Sequence, residues 1–563
     1  MTKPAVIVLA AGEGTRMKSA TPKVLHRVAG LTLLGHALRA AQALEPAAIA
    51  VVVRHGRDLV AAEAARLHPG AVIADQDEIP GTGRAVQCAL AALAAAPPPG
   101  QSAGQIPQQI VVIPGDTPGL DGGILAGLLQ AHQTQGNAVT VLTAVLDQPH
   151  GYGRIVRDAS GQVARIVEQK DASDSERQIK EVNSSVYVFA GATLGAALAH
   201  LDRDNAQGEL YLTDVVARAR AAKTPVRALI CQDASAVEGV NDRVQLARAA
   251  AAINARLVEA AMLAGVTVAD PATTWIDAEV QLEPDATVLP GTQLAGATVV
   301  ARGAVVGPFT TLTDTVVGPG ATVDRSVATG AVIGAGAKVG PFTHLRPGTR
   351  LGAEVKAGSF TELKAARVGE GAKVPHLAYV GDATIGAAAN VGAGTIFANY
   401  DGVAKSACEI GPAVRIGSNN VIVAPVAMGA GAYSGAGAIV RQDVPPGALA
   451  VSAPPQRLIE GWTLRKRPGS DSAQAAAAAL AGSAAPAPDA AAPPTPAPDA
   501  AAPPTPAPAA AAPPTPAPDA AAPPAPAPAA AAPPAPPAPP APACVPPAEP
   551  APSGASPIEG PLP

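Results

Sequence analysis

From about residue 266 to 455 an aliphatic residue returns every six positions, commonly with Gly or Ala beside it. The series runs Ile333, Val339, Leu345, Leu351, then Val368, Val374, Val380, then Ile410, Ile416, Ile422. A helix repeats its buried face about every 3.6 residues and a half-buried strand about every 2, so neither accounts for this spacing. A six-residue period held over more than a hundred residues predicts a left-handed parallel β-helix of hexapeptide repeats. Each aliphatic side chain points into a narrow interior, and each small neighbour permits the tight corner.

The segment before it has another texture. Between residues 5 and 240, short apolar runs ("AVIVLA", "IAVVV", "IVVIPGD", "AVTVLTAVL") alternate with Ala/Leu-rich stretches of helical period, such as 33–44 and 83–96. That alternation predicts a doubly wound, Rossmann-like α/β sheet, with ligands at the carboxyl ends of the strands. A proline-rich stretch at 97–109 reads as a long exposed loop. Residues 243–264 carry Leu246, Ile253, Leu257 and Met262 near one helical face, and Gly265 stops them, giving a connecting arm. The domains expected are therefore 1–241, an arm at 242–265, a β-helix at 266–469 and a tail at 470–563. The tail is Ala/Pro/Thr with a ten-residue repeat ("PAPDAAAPPT") and holds more than half of the 60 prolines. With so few large apolar side chains it cannot offset the entropy cost of folding, and a disordered, partly extended segment is expected.

A formal net charge of −5 over 563 residues argues against binding nucleic acid through phosphate contacts. The 4 cysteines lie too far apart for paired metal or redox spacing, so a reduced, cytoplasmic setting fits. No signal peptide is expected, because the apolar run 6–11 is broken at once by Gly12, Glu13 and Arg16, and no membrane span, because no proline-free stretch of about 18 apolar residues exists.

The stretch "LAAGEGTRMKSATPKVLH" begins at Leu9. Gly12 and Gly14 leave backbone N–H groups bare toward a ligand, which suits phosphate oxygens, though a glycine turn alone is also a common structural element. The stretch resembles the signature of the sugar-nucleotide pyrophosphorylases. "QDEIPGTGRAV", "PGD", "GYGRIV", "IVEQKDA", "EVNSSVY", "NAQGELYLTD" and "VEGVND" follow in the order found in one family. That family is the bifunctional bacterial N-acetylglucosamine-1-phosphate uridylyltransferase/glucosamine-1-phosphate N-acetyltransferase, and the resemblance covers about residues 3 to 465. It implies that Leu9, Ala10, Ala11, Gly12 and Lys23 meet the uridine phosphates and Gln76, Gly81 and Thr82 the uracil. Gly115 belongs to the same nucleotide site, while Gly153, Glu168 and Asn183 hold the sugar, and Asp116 and Asn241 hold Mg²⁺. In the implied reaction the phosphate of N-acetylglucosamine 1-phosphate attacks the α-phosphorus of UTP and pyrophosphate leaves. Such chemistry asks the protein to align anions and offset charge, for which Arg16, Lys23 and a hard oxygen ligand are suited. Bland alternatives stand beside these roles: Asp116 or Asn241 as helix caps, and Lys23 as an ordinary solvated lysine. Two departures from the family pattern are Ser185, where Gly is usual, and Pro114 before the "GD" pair.

The β-helix carries a polar island in "HLRPGTRLG", "TELKAARVG", "PHLAYVGD" and "GTIFANYDG". A solenoid of aliphatic corners has no structural use for such a group. Here the resemblance implies acetyl transfer from acetyl-CoA to the amine of glucosamine 1-phosphate. Arg346, Lys364, Tyr379 and Asn390 would bind the sugar phosphate and His376 would catalyse. Ala393, Asn399, Tyr400, Ser418, Ala436 and Ala453 would meet the coenzyme. A sugar amine near its pKa must lose a proton as it attacks the thioester, and imidazole titrates in that range. The resemblance also implies a homotrimer; it gives no partner for the tail.

Two other readings remain open at this point: a nucleotidyltransferase whose β-helix serves only oligomerisation or regulation, and a scaffold with vestigial chemistry. Ala453 is a third departure, since the family commonly has a basic residue there to meet a coenzyme phosphate. Ala453→Arg is expected to lower the KM for acetyl-CoA with little change in kcat; an unchanged KM in steady-state thiol-release assays would refute this.

Overall fold

The computed structural model describes residues 3–96, 104–452 and 456–483. Most of the proline-rich loop, Ala453 and the repeat segment from 484 onward lie outside the described residues. The chain divides into two compact units, Met1–Arg457 and Leu458–Pro563.

Alternation along the first strand shows why the amino-terminal part is layered. In Ala5–Leu9, Ala5 and Ile7 join one apolar cluster while Val6 and Val8 join another. Successive strand side chains face opposite ways, so a strand apolar on both faces must be covered on both. Helices Thr82–Ala95, Gly191–Leu198 and Asp214–Ala221 cover one face through Val86, Leu194 and Val215. Helices Leu33–Gln42, Arg57–Leu67 and Gly122–Thr134 cover the other through Leu38, Val60 and Leu125. The sheet order is Val226–Ile230, Val139–Val145, Glu181–Ala190, Gln109–Pro114, Ala5–Leu9, Ala48–Val53, Val72–Asp75. All neighbours are parallel except Glu181–Ala190, which runs antiparallel to both strands beside it. Its register against Val139–Val145 shifts between Asn183 and Val186, where Ser185 holds a left-handed φ of 62°. The hairpin Arg154–Arg157 and Val163–Val167 joins the sheet through Val182 and Arg154.

The arm is the helix Arg243–Leu263, capped by Asp242, whose carboxylate accepts from Gln245 N at 2.8 Å. Leu246, Ile253 and Leu257 pack with Met17, Val28, Leu33 and Val240, whereas Met262 is exposed. Val258, farther along, belongs instead to the core of the β-helix. Buried Asn254 ties the helix to the first coil: its Nδ2 donates to Thr274 O at 2.8 Å and its Oδ1 accepts from Ile276 N at 2.9 Å.

From Thr267 the backbone winds through three sheets of short parallel strands. One sheet stacks Thr287, Val305, Thr322, Lys338, Lys356 and Lys373 in register from coil to coil. All ten residues of the six-residue series are buried, so the period marks the inward positions of a parallel β-helix. One coil is longer: Tyr379 pairs with Ile396, and Ile396 with Val421. The added residues form a loop closed by Ser406 N donating to Asn399 O at 2.9 Å.

The second unit starts with helix Trp462–Lys466, where the Arg467 guanidinium lies 5.7 Å from the Trp462 ring centroid. Residues 471–483, placed by composition in the disordered tail, form the helix Asp471–Ser483. This stretch is proline-free and alanine-rich, and alanine is the best helix former. The proline repeat begins only after it.

Asn254→Ala leaves a buried carbonyl and a buried N–H without partners, an expected cost of about 2–4 kcal/mol. Urea unfolding should show the loss, accompanied by faster proteolysis between the arm helix and the first coil.

Two candidate active sites

The first site lies at the carboxyl ends of the parallel strands. A cleft of about 400 Å³ is lined by Leu9, Ala11, Gly12, Lys23, Gln76, Gly81, Thr82 and Asp116, with Arg54, His55, Pro114, Ser185 and Glu209 among the rest. Each strand end is fastened to its neighbour: Ala10 N donates to Val52 O at 3.0 Å and Gly115 N to Leu9 O at 2.8 Å. The two glycines of the opening motif do different things. A Cβ on Gly12 would meet nothing within 4 Å, so its backbone faces open space. Gly14, at φ 69°, would bring a Cβ to 2.5 Å from Lys23 Cβ, so its bare backbone is what lets Lys23 pack into the turn. Gly81, at φ 117°, would clash with the Leu210 backbone at 2.3 Å. It opens the helix Thr82–Ala95, and its carbonyl accepts from Gln76 Nε2 at 3.2 Å.

Lys23, Asp116 and Asn241 form one cluster. The Lys23 ammonium is paired with the Asp116 carboxylate and donates to Asn241 Oδ1 at 3.3 Å; Arg16 donates to the same oxygen at 2.9 Å. Asp116 O accepts from Val240 N at 2.9 Å, which fixes the relation between the two oxygen-bearing residues. The bland alternatives fail here. Asp121 and Asp242, not Asp116 and Asn241, cap the nearby helices. The Lys23 and Asp116 side chains are only 12% and 19% exposed, so this is no solvated pair. Among the described residues no group of three His, Cys, Asp or Glu could hold a metal. The cluster nevertheless fits a hard cation, because two oxygens converge on one point where a positive charge already sits, leaving further ligands to come from phosphate and water.

The residues that the resemblance assigns to the sugar assemble beside this cleft. Asn183 N donates to Gly153 O at 2.9 Å, and a Cβ on Gly153 would lie 3.3 Å from Glu168 Oε2, so Gly153 lies beside both. Asn183 Oδ1 accepts from Ser185 N at 3.1 Å, and Ser185 itself lines the cleft. The departure at Ser185 therefore places a serine in the left-handed region that glycine adopts freely. Burial pushes the Glu168 carboxyl above its ordinary range; a hydrogen bond from Thr213 opposes this, and Asp171, Asp214 and Glu209 add repulsion.

The second site is built on one edge of the β-helix. His376 ends the strand Lys373–His376 at the corner leading to Tyr379–Gly381. Asn390 is bridged to Lys373, Arg415 to Asn390 and Tyr433 to Arg415. Ala393, Ser418 and Ala436 therefore stand at the same corner in the coils that follow. Their carbonyls show the stacking, with Asn419 N donating to Ala393 O at 2.7 Å and Gly437 N to Ser418 O at 2.8 Å. On one side of this edge Arg346 and Lys364 occupy equivalent positions in successive coils, set by Leu345 pairing with Leu363. Arg346 is paired with Glu362 at 2.9 Å. Gly381 follows in the column, and the space over it is filled: a Cβ there would lie 2.5 Å from Asn399 Nδ2 and 2.6 Å from Tyr379 Oη. Asn390 sits on the other side of the edge, in the sheet of Lys373. Exposed Tyr400 donates to Gly402 O at 2.6 Å within the added loop.

Three charged residues given no role by their motifs belong to this site. Asp382 accepts Lys364 at 2.8 and 3.0 Å and Asn399 at 2.5 Å, Glu362 holds Arg346, and Lys405 acts on the Lys364–Asp382 pair. The hydrogen bond to Asp382 raises the Lys364 pKa. Partial burial alone would push the Asp382 carboxyl up, but Lys364, Asn399 and Lys405 outweigh it and hold the group below the usual carboxylate range. Motifs quoted as "VGD" and "TEL" contained two of these acids; nothing in their spacing says which base each would meet.

Residues 6–225 match the family described as MobA-like NTP transferase domain. The chain is 56% identical over 472 residues to the protein named Bifunctional protein GlmU of Kineococcus radiotolerans, covering 84% of this chain and 94% of that protein. It is 56% identical to the one of Pseudarthrobacter chlorophenolicus, over 84% and 95% of the two chains. To that of Clavibacter sepedonicus it is 54% identical over 86% and 97%.

The raised Glu168 pKa has a sign. Folded protein holds a proton that the unfolded chain, with an ordinary value of 4.5, releases; stability attributable to this group falls as pH rises through the interval above 4.5. Glu168→Gln should therefore raise the thermal midpoint at pH 7, and the gain should shrink toward zero near pH 4. An equal gain at both pH values would show that charge burial is not its cause.

Proposed function

The chain belongs to the family of the bifunctional protein GlmU, and we propose how its two sites divide the work of that family. It is an acetyltransferase and a uridylyltransferase of UDP-N-acetylglucosamine synthesis. In this reading the β-helix acts first, on glucosamine 1-phosphate and acetyl-CoA. Arg346, Lys364, Tyr379 and Asn390 hold the sugar phosphate from both sides of the edge. The amine nitrogen attacks the thioester carbonyl, His376 takes the amine proton, the C–S bond breaks, and the proton passes from His376 to the departing sulfur so that coenzyme A leaves as its thiol. Asn399, Tyr400 and the edge formed by Ala393, Ser418 and Ala436 carry the coenzyme. The observation that carries the assignment is His376 at the crest of that edge, between the two halves of a cationic and amide-bearing sugar-phosphate site.

The product, N-acetylglucosamine 1-phosphate, is then consumed in the α/β cleft with UTP. Gly153, Glu168 and Asn183 orient the sugar so that its phosphate oxygen lies in line with the α-phosphorus, and pyrophosphate leaves. Backbone N–H groups at Ala11 and Gly12, with Lys23 and Arg16, take the charge of the phosphates. Gln76, Gly81 and Thr82 frame the uracil. Mg²⁺ held by Asp116 and Asn241 would supply further charge stabilisation to the phosphoryl oxygens.

Its partners in this reading are small molecules and two further copies of itself. Phe342, Phe360 and Leu377 form an exposed apolar ridge, with the Phe342 and Phe360 rings stacked at 5.2 Å, and the ridge reaches the residue beside His376, while exposed Phe309 lies beyond Arg325 at the same corner. A homotrimer would cover it and close the acetyl site from outside. The three described cysteines are unpaired and no described helix is long and apolar enough to cross a membrane. We place the protein in the cytoplasm.

His376→Ala should lower thiol release from acetyl-CoA by about 100-fold or more while leaving pyrophosphate release from UTP and N-acetylglucosamine 1-phosphate intact. Asp116→Ala should do the reverse. Loss of both activities from either substitution, at unchanged fold, would contradict two independent sites.

A further inference from the structure

Asp382 lies between the two substrate halves of the acetyl site. Its carboxylate accepts from Lys364 Nζ at 2.8 and 3.0 Å and from Asn399 Nδ2 at 2.5 Å. Lys364 belongs to the sugar-phosphate half and Asn399 to the coenzyme half. The acid is also held rigidly. Its backbone N donates to Lys364 O at 2.9 Å and its carbonyl accepts from Cys408 N at 3.2 Å, which pins it to the coil before and the coil after. Its φ of 49° aims the side chain from a corner instead of a flat strand. The pair is four-fifths buried, with side-chain exposures of 20% and 21%, so solvent screens it less than a surface ion pair. Asn399 is 7% exposed and opens the added loop that also bears Tyr400 and Lys405. The carboxylate therefore takes donors from a residue on the solenoid wall and a residue on the loop.

We propose that Asp382 is a positioning residue that ties the sugar-phosphate subsite to the coenzyme subsite, so that the state of Asn399 sets how Lys364 receives glucosamine 1-phosphate. The proposal rests on the acetyltransferase reading above. Its physical basis is competition for one carboxylate. Two hydrogen-bond donors share the acid, with Lys405 nearby; when the amide is removed, Asp382 holds the Lys364 ammonium more firmly, and less of its charge is free for an incoming phosphate. Groups that share a hydrogen-bonded partner show non-additive effects, whereas independent contacts add.

The test is calorimetric binding of glucosamine 1-phosphate to the full chain in the absence of acetyl-CoA. Asn399→Ala should weaken the Kd about threefold or more, although the sugar phosphate does not need this residue as a contact. In an Asp382→Asn background the same Asn399→Ala change should leave the Kd within experimental error. Asn399→Ala without effect on the Kd in the native background, or with the same effect in both backgrounds, overturns the proposal. If Asp382→Asn does not fold, Lys364→Met takes its place: with the ammonium gone, Asn399→Ala should again have no effect, and a persisting effect overturns the coupling. A purely structural role for Asp382 would lower thermal midpoints in every variant while the binding changes simply added. Thiol release by the native chain is recorded alongside. Its absence, together with absent binding, would count against the acetyltransferase reading itself; its presence with additive variants would sink only the coupling.

Discussion

The proposed acetyl site depends on parallel backbone pairing in register, coil upon coil. Each coil sends its aliphatic residues inward because that is the only place they can leave water, and once they do so every outward position is also fixed. His376, Ala393, Ser418 and Ala436 lie on one edge only because the strands before and after each of them pair with their counterparts one coil away. Lys364 falls in line with Arg346 for the same reason. A catalytic constellation can thus be assembled from residues far apart in sequence without any loop having to carry it, apart from the single added segment after Ala398.

The α/β cleft obeys a different constraint. Its polar residues sit where strands end, and their spacing is set by cross-strand fastening and by glycine turns that allow close approach. Lys23 reaches Asp116 because Gly14 leaves room for its stem. Asn241 reaches the same point because Val240 is bonded to Asp116 and packed beneath the arm helix. Charge is then matched locally: a largely covered ammonium and carboxylate meet an amide oxygen on the wall of the cleft, where an unpaired charge would be costly.

Much of this was legible in the residues. The six-residue period located the inward face of the solenoid, and the alternation of apolar runs with helical stretches located the layered domain. What escaped was pairwise and directional. Nothing in the run "EVNSSVYVFA" indicates that its strand runs antiparallel to both neighbours, because direction depends on connections made across the sheet. Ser185 could be seen to replace a glycine, but its positive φ belongs to the register shift beside it. Asp382 stood inside a quoted motif and passed as part of a repeat; its partners Lys364 and Asn399 are brought to it only by coil stacking. The helix Asp471–Ser483 was hidden by the alanine-rich composition it shares with the proline repeat, which differs from it chiefly in the residue that forbids helix.

The arm helix serves both halves of the chain at once. Ile253 lies on the same buried patch as Met17 and Val240, while Val258, little more than a turn farther on, lies in the solenoid core. The seam between the two catalytic halves is therefore a shared piece of interior, and no cut through it leaves both sides with a finished surface. Either half made alone would leave apolar side chains of this seam open to water.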